Sequence, residues 1–268
     1  MAEGAAPRVG IVTGAARGIG AATARRLAAD GWRLVLVDRA ADDPALAYPL
    51  ATADELRAVA EACGGPDHAL PVVADVRDQA ALDSAVALAV DGFGGLDAAV
   101  AVAGAIHGGL PAWETSDDAW SAMVGVNLEG VWRLARAAVP ALLQRPQPRS
   151  GRFVAVSSSG GTLGLPLLAA YTAAKHGVEG FVRSLAAELG VEGITANVVA
   201  PGSTVGAMLS ASADVYGLDD PAEFATHALQ KRLLEPDEVA ATLHWLCGPD
   251  TGAVTGAVLA VDAGMTAG

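Results

Sequence analysis

Seven short apolar runs recur along this chain, and helix-like segments separate most of them. They are Arg8–Thr13, Arg33–Asp38, Pro71–Asp75, Asp97–Ala103, Arg152–Ser157, Ile194–Val199 and Gly256–Val261. The runs are nearly continuous in apolar character rather than alternating. That is the pattern of strands whose two faces are both covered by helices. It predicts an α/β architecture: one doubly wound parallel sheet of about seven strands with helices on both faces. The 32 glycines, mostly at the ends of apolar runs, suit tight strand–helix turns.

The alternation continues through all 268 residues, so a single domain covering 1–268 is expected. Gln144–Gly151 is a polar connection within that alternation, not a domain linker. The link between the second and third runs is longer than neighbouring strands require. Within this insertion, residues 39–70, "DELRAVAEACGG" predicts a helix ending at Gly64, and "AADDPALAYPLAT" before it is irregular. Long ordered loops of this kind are often functional.

A formal charge of -13 argues against sequence-independent nucleic-acid binding, which needs a basic footprint. The two cysteines, Cys63 and Cys247, are too few and too far apart for a disulfide framework or a metal cluster, and no metal is expected. They fit a reducing, cytoplasmic compartment. No basic-then-apolar leader precedes the first strand, and no run is long enough to span a bilayer, so no membrane association is expected.

"VTGAARGIG" (Val12–Gly20) joins the first strand to the first helix. Gly14, Gly18 and Gly20 let the backbone turn sharply and approach a ligand closely. The N–H groups at the helix start, around Arg17, Gly18 and Ile19, suit a pyrophosphate. A tight turn without a ligand is the alternative. Asp38 ends the second strand about 20 residues on, where a carboxylate accepts hydrogen bonds from ribose hydroxyls and repels a 2′-phosphate. It favours NAD over NADP, although a capping role is open to it. Arg17 and Arg39 point the other way, since guanidinium groups pair with phosphate. Asp75 and Val76, at the end of the third run, are candidates for contacting adenine, although Asp75 alone could equally be a loop-capping residue. No Walker-type loop is present.

"AAYTAAKHG" (Ala169–Gly177) places Tyr171 and Lys175 one helical turn apart in a small, apolar neighbourhood. A hydride leaving a carbinol carbon needs a base for the hydroxyl proton. Tyrosine serves if its pKa falls from about 10 toward neutrality, and a nearby ammonium favours the phenolate. Alone, the spacing is also that of a surface lysine beside a core tyrosine. Upstream, "VSSSGG" offers Ser158 as a donor to substrate oxygen, or merely turn chemistry. Asn127, in an apolar helical stretch, either holds a relay water or bends the helix through its backbone.

"TGAARGIG", "VNLEG", "YTAAK" and "NVVAPG" occur in an order and at spacings that resemble the short-chain dehydrogenase/reductase family over essentially the full length. The resemblance implies a single-domain Rossmann fold and a catalytic tetrad of Asn127, Ser158, Tyr171 and Lys175. Tyr171 would be the general acid/base, and Ser158 would orient substrate oxygen. Lys175 would tune Tyr171 and hold the nicotinamide ribose, and Asn127 would support a water relay. Pro201, Gly202 and Thr204 would line the nicotinamide.

The resemblance implies an NAD-dependent oxidoreductase acting on an alcohol or carbonyl small molecule, and a homotetramer. "DRAADDPALAYPLATADEL" is further similar to mycofactocin-associated members, in which NAD does not exchange freely and the carrier mycofactocin is thought to reoxidise it. An ordinary alcohol dehydrogenase or ketoreductase with exchanging NAD(H), and a catalytically silent NAD-binding protein, are the alternatives.

Two positions depart from the family pattern. Its Asn-Asn-Ala-Gly is here Ala101-Val102-Ala103-Gly104, and Gly206 stands where a threonine is common. His107 is either a substrate-pocket residue or a solvated loop histidine, whereas His176 is expected to face away from the site. Ala207 to Leu229 is expected to form a helical lid, with Met208, Leu209 and Tyr216 either on its inner wall or packed in the core.

Overall fold

The computed structural model describes residues 6–267. The reading of the chain's start as leaderless falls partly on residues 1–5, outside that range. Seven parallel strands form one sheet in the order β3-β2-β1-β4-β5-β6-β7. They are β1 (Val9–Thr13), β2 (Arg33–Asp38), β3 (Ala69–Val73), β4 (Ala98–Ala101), β5 (Arg152–Val156), β6 (Thr195–Pro201) and β7 (Val258–Val261). Every residue of β1, β4, β5 and β6 is buried, as their unbroken apolar character requires. This is the expected doubly wound Rossmann architecture.

Among the described residues, eight α-helices accompany the sheet: α1 (Gly18–Ala29), α2 (Ala53–Ala62), α3 (Gln79–Phe93), α4 (Asp117–Val124), α5 (Gly130–Leu143), α6 (Ala169–Leu189), α7 (Ala207–Tyr216) and α8 (Pro236–Cys247). One face of the sheet packs Leu82 and Val86 of α3, Leu134 of α5 and Val182 of α6 into a core. The other face packs Leu27 of α1, Leu56 of α2 and Leu243 of α8. The strand order turns back between β1 and β4, which opens a crevice beyond the carboxyl ends of the strands.

The third strand lies two residues earlier than the sequence pattern places it. It pairs in register with β2 from Leu34↔Ala69 to Asp38↔Val73, and pairing stops where β2 stops. Asp75 therefore lies beyond the strand. As an edge strand, β3 alternates in burial, and Val73 is 60% exposed, so its apolar run does not mark two covered faces. The expected insertion at 39–70 consequently overlaps the start of β3. Its irregular part, residues 39–52, leads into α2 through a capping box in which Thr52 and Glu55 bond each other's backbone. The lid expected over Ala207 to Leu229 divides into α7 and a 3₁₀ stretch, Pro221–His227, separated by Gly217 at φ 64°.

Steric fit fixes the turn between β1 and α1. A Cβ on Gly20 would sit 2.0 Å from the Gly14 carbonyl oxygen, and one on Gly14 would sit 2.7 Å from Ala103 Cα. Gly14 also holds φ 66°. Gly20→Ala should therefore lower stability by about 1–3 kcal/mol through overpacking, read by urea unfolding. Unchanged stability would contradict this packing.

Candidate functional site

A cleft of about 960 Å³ lies over the carboxyl ends of the strands. At one end it is bounded by Gly14, Arg17, Gly18, Ile19 and Gly20 and by Asp38 and Arg39. Asp75, Val76, Ala103 and Gly104 also line it, as do the buried Tyr171 and Lys175 with Ser158, and Pro201, Gly202 and Thr204. One site thus brings together the sequence-derived candidates except Asn127 and His107.

The glycine loop suits an anion. The residue before α1, Arg17, makes no side-chain cap, and the first turn of α1 has no acidic residue. N–H groups at the start of the helix are therefore not taken by a local carboxylate. Asp38 is oriented by the same loop: one carboxylate oxygen accepts from Ala16 N at 3.0 Å and the other from Ala40 N at 3.2 Å. Each oxygen keeps a lone pair for a hydroxyl donor. After β4, Thr13 Oγ1 accepts from the N–H groups of Val102 and Ala103, at 3.2 and 3.3 Å. It ties the ends of β1 and β4 together where this chain lacks the usual asparagines. These features fit a dinucleotide laid across the switch point.

Tyr171 and Lys175 lie on one face of α6, both buried. Lys175 is 3% exposed and donates from Nζ to the Val156 carbonyl at 3.0 Å. Burial pulls its amine down to about 8. Its Nζ lies 5.7 Å from the centroid of the Tyr171 ring. Burial pushes the Tyr171 phenol above its ordinary value, and a hydrogen bond with Ser158 only partly offsets this. The expected lowering of the phenol by Lys175 is thus not what the protein alone produces. Desolvation dominates, and the lysine is engaged by a carbonyl. Ser158 Oγ also accepts from Gly160 N at 3.0 Å, which aims it from the start of a 3₁₀ turn.

Asn127 sits in a π-helical turn, Gly125–Glu129, that joins α4 to α5. Its Nδ2 donates to the carbonyls of Ala105 and Met123 at 2.9 and 3.0 Å, and its Oδ1 accepts from Ala105 N at 3.1 Å. Of the two roles open to it, the backbone-bonding one is visible. Its amide grips the segment after β4 and accommodates the widened turn. A Cβ on Gly104 would come 3.1 Å from Asn127 Oδ1 and 3.6 Å from Lys175 Nζ, so glycine keeps this approach open.

The segment after β2 also enters the site. Ala45, Leu46 and Tyr48 pack in a cluster with Ala105, Ile106, Met123, Leu168 and Tyr171. Tyr48 Oη accepts from Ile106 N at 3.1 Å. Tyr48, Asp43 and Arg77 all line the cleft and were not singled out from sequence. The only available signal was scarcity: all three tyrosines of the chain, Tyr48, Tyr171 and Tyr216, line it.

Met208, Leu209 and Tyr216 of α7 line the far wall as expected, joined by Phe224 and His227. His107 is half-buried and does not line the cleft, so the structure does not place it in the substrate pocket. His176 is exposed and bonds Thr172 O. Among the described residues, no group of three or more His, Cys, Asp or Glu is placed to hold a metal.

The fold and this cleft define a Rossmann-type protein with a tyrosine–lysine pair at the base of its crevice. Residues 14–266 match the family model described as "Enoyl-(Acyl carrier protein) reductase". The chain is 36% identical over 272 residues to (-)-trans-carveol dehydrogenase of Rhodococcus erythropolis, covering 97% of each. It is 38% identical over 273 residues to an uncharacterized NAD-dependent oxidoreductase of Mycobacterium tuberculosis, covering 96% of this chain and 95% of the relative. A crystal structure of carveol dehydrogenase from Mycobacterium avium in complex with NAD superposes with a TM-score of 0.92 at 33% identity, over 98% of this chain and 99% of that one. This chain belongs to the short-chain dehydrogenase/reductase family.

Lys175 leaves a testable signature in stability. Its folded pKa of about 8 lies below the ordinary lysine value of 10.5. Between those values the unfolded chain binds more protons, so stability rises with pH across that window. The cost of burying the ammonium is fully present below pH 8. Relative to Lys175→Met, wild-type protein should gain up to about 3 kcal/mol between about pH 8 and pH 10, measured by urea unfolding. A pH-independent difference would contradict the burial.

Proposed function

We propose that the protein is an NAD-dependent oxidoreductase that interconverts an alcohol and its carbonyl compound. The observation that carries this reading is the single cleft. It joins the glycine loop and Asp38 at one end to Ser158, Tyr171 and Lys175 at the other. Bound NAD supplies the hydride chemistry at the carbinol carbon. Gly14, Gly18, Ile19 and Gly20 would receive the pyrophosphate and Asp38 the adenosine ribose. Asp75 and Val76 would border the adenine, and Pro201, Gly202 and Thr204 the nicotinamide.

Tyr171 moves the proton. Its buried phenol is held protonated, ready to donate to a carbonyl oxygen, and in the reverse direction it accepts the hydroxyl proton. Ser158 orients that oxygen. Lys175 spends one N–H on Val156 and has two more for a ribose hydroxyl and for stabilising the phenolate when it forms. Asn127 holds the Ala105 backbone in place and supports the proposed water relay. Ile106, Leu165, Leu168, Met208 and Phe224 make the substrate end of the cleft apolar, which suits an alcohol or ketone carrying few other polar groups.

The segment covering the cleft supports a narrower reading, in which NAD is tightly held and a carrier such as mycofactocin reoxidises it. A folded cover must open before a dinucleotide leaves, which adds to the dissociation barrier. We also infer a homotetramer assembled through the faces of α4, α5 and α6, where Trp120 and Trp132 are exposed. The two buried free cysteines are in keeping with a cytoplasmic protein.

Tyr171→Phe should retain the fold and NAD binding while turnover falls by about 10²–10⁴-fold, assayed across an alcohol and ketone panel. Near-wild-type turnover would refute the assignment of Tyr171. Dialysed wild-type protein should still contain NAD, reduce it once on adding alcohol, and continue only with an artificial acceptor. Steady turnover on free NAD by nucleotide-free protein would favour ordinary exchange.

A further inference from the structure

Three guanidinium groups, those of Arg17, Arg39 and Arg77, border the same end of the cleft as Asp38. An arginine cluster beside the adenosine ribose is suited to a 2′-phosphate, because guanidinium pairs with phosphate through parallel hydrogen bonds. Here each arginine is already taken by carboxylate. Arg17 bonds Glu55 through Nε and Nη2, both at 2.7 Å. Arg77 Nη2 lies 2.6 Å from Asp75 and 2.7 Å from Asp43. Arg39 pairs with Asp43 and approaches Asp75 at 3.5 Å.

Asp43 is the shared member of this group. It belongs to the irregular segment after β2, is only 7% exposed, and accepts from Ala45 N at 3.0 Å. Burial pushes its carboxyl up, but Ala45 N–H, Arg77 and Arg39 together hold it below the ordinary carboxylate range. It is therefore a firm anion between two cations.

We infer that Asp43 is a specificity-determining residue that withholds Arg39 and Arg77 from a 2′-phosphate, so that the segment after β2 excludes NADP alongside Asp38. This rests on the nicotinamide-dinucleotide reading above. Drawing Arg39 to a phosphate would leave Asp43 ionised, buried and short of a partner beside a dianion, and an unpaired buried charge is strongly unfavourable. The arginines thus brace the cover instead of reading the nucleotide. Arg17, engaged by Glu55 of α2, is withheld in the same way.

The test is equilibrium competition between NAD and NADP on the full chain, with protein-bound nucleotide quantified after gel filtration. Asp43→Asn should raise NADP affinity relative to NAD by about tenfold or more, the scale of freeing one charge-assisted pair. Adding Arg39→Ala to that variant should remove the gain. Arg39→Ala in the wild-type background should leave NADP affinity unchanged, since that arginine is already engaged.

An unchanged NADP to NAD ratio in a folded Asp43→Asn protein would overturn the inference. So would an equal loss of both nucleotides, which would reduce Asp43 to bracing the segment. Weaker NADP binding in Arg39→Ala alone would overturn it as well. Failure of the wild-type protein to bind NAD would instead strike the underlying cofactor assignment.

Discussion

The hydrogen bond from the buried Lys175 amine to the Val156 carbonyl is the contact on which the geometry of the site depends. Val156 is the last residue of β5 and Lys175 lies in the second turn of α6, so this 3.0 Å bond sets the helix against the strand end. A second bond acts at the same level: Ser157 Oγ donates to the Lys175 carbonyl at 3.1 Å. With α6 fixed in rotation, Tyr171 one turn earlier has no freedom to leave the cleft. Ser158, next along the chain from Ser157, is brought opposite the phenol. An amine buried this deeply is unfavourable for the fold on its own. Its Nζ lies beside Gly104, where the absence of a side chain leaves it approachable from the cleft.

The segment between β2 and β3 does two kinds of work on the same cleft. Its ionic residues, Asp43 and Glu55, meet Arg17, Arg39 and Arg77 beside Asp38. Its apolar residues and Tyr48 pack with Ile106 and Tyr171. It therefore spans both halves of the site, and its electrostatics and its packing hold it in one place. Tyr48 and Asp43, which anchor it at its two ends, are only five residues apart along one strap.

Much of this was legible from local pattern. The glycine loop, Asp38 and the Tyr171–Lys175 pair are short-range signals whose spacing alone dictates a shared face or a turn. The four fully buried strands, β1, β4, β5 and β6, were legible because they are covered on both sides. The edge strand β3 was misplaced by two residues, since its limit is set by where β2 ends and not by its own composition. Asp43, Arg77 and Tyr48 escaped notice for another reason. Arg77 meets Asp43 across 34 positions, and Tyr48 meets Ile106 across 58. No periodicity records such pairs. Asn127 stands out as polar in an apolar helical stretch, but its bonds to Ala105 and Met123 across the π turn are not legible from local pattern.

The central claim is that this cleft passes a hydride between a carbinol carbon and nicotinamide. The most direct measurement follows that hydrogen itself. Protein with bound NAD is mixed with alcohols deuterated at the carbinol carbon, and the released nucleotide is examined by NMR. The account predicts deuterium at C4 of the reduced nicotinamide, on one face only, for at least one apolar alcohol. NAD that stays bound yet acquires no deuterium from any alcohol, and gives none to the matching ketones when supplied as the deuterated reduced form, would contradict it.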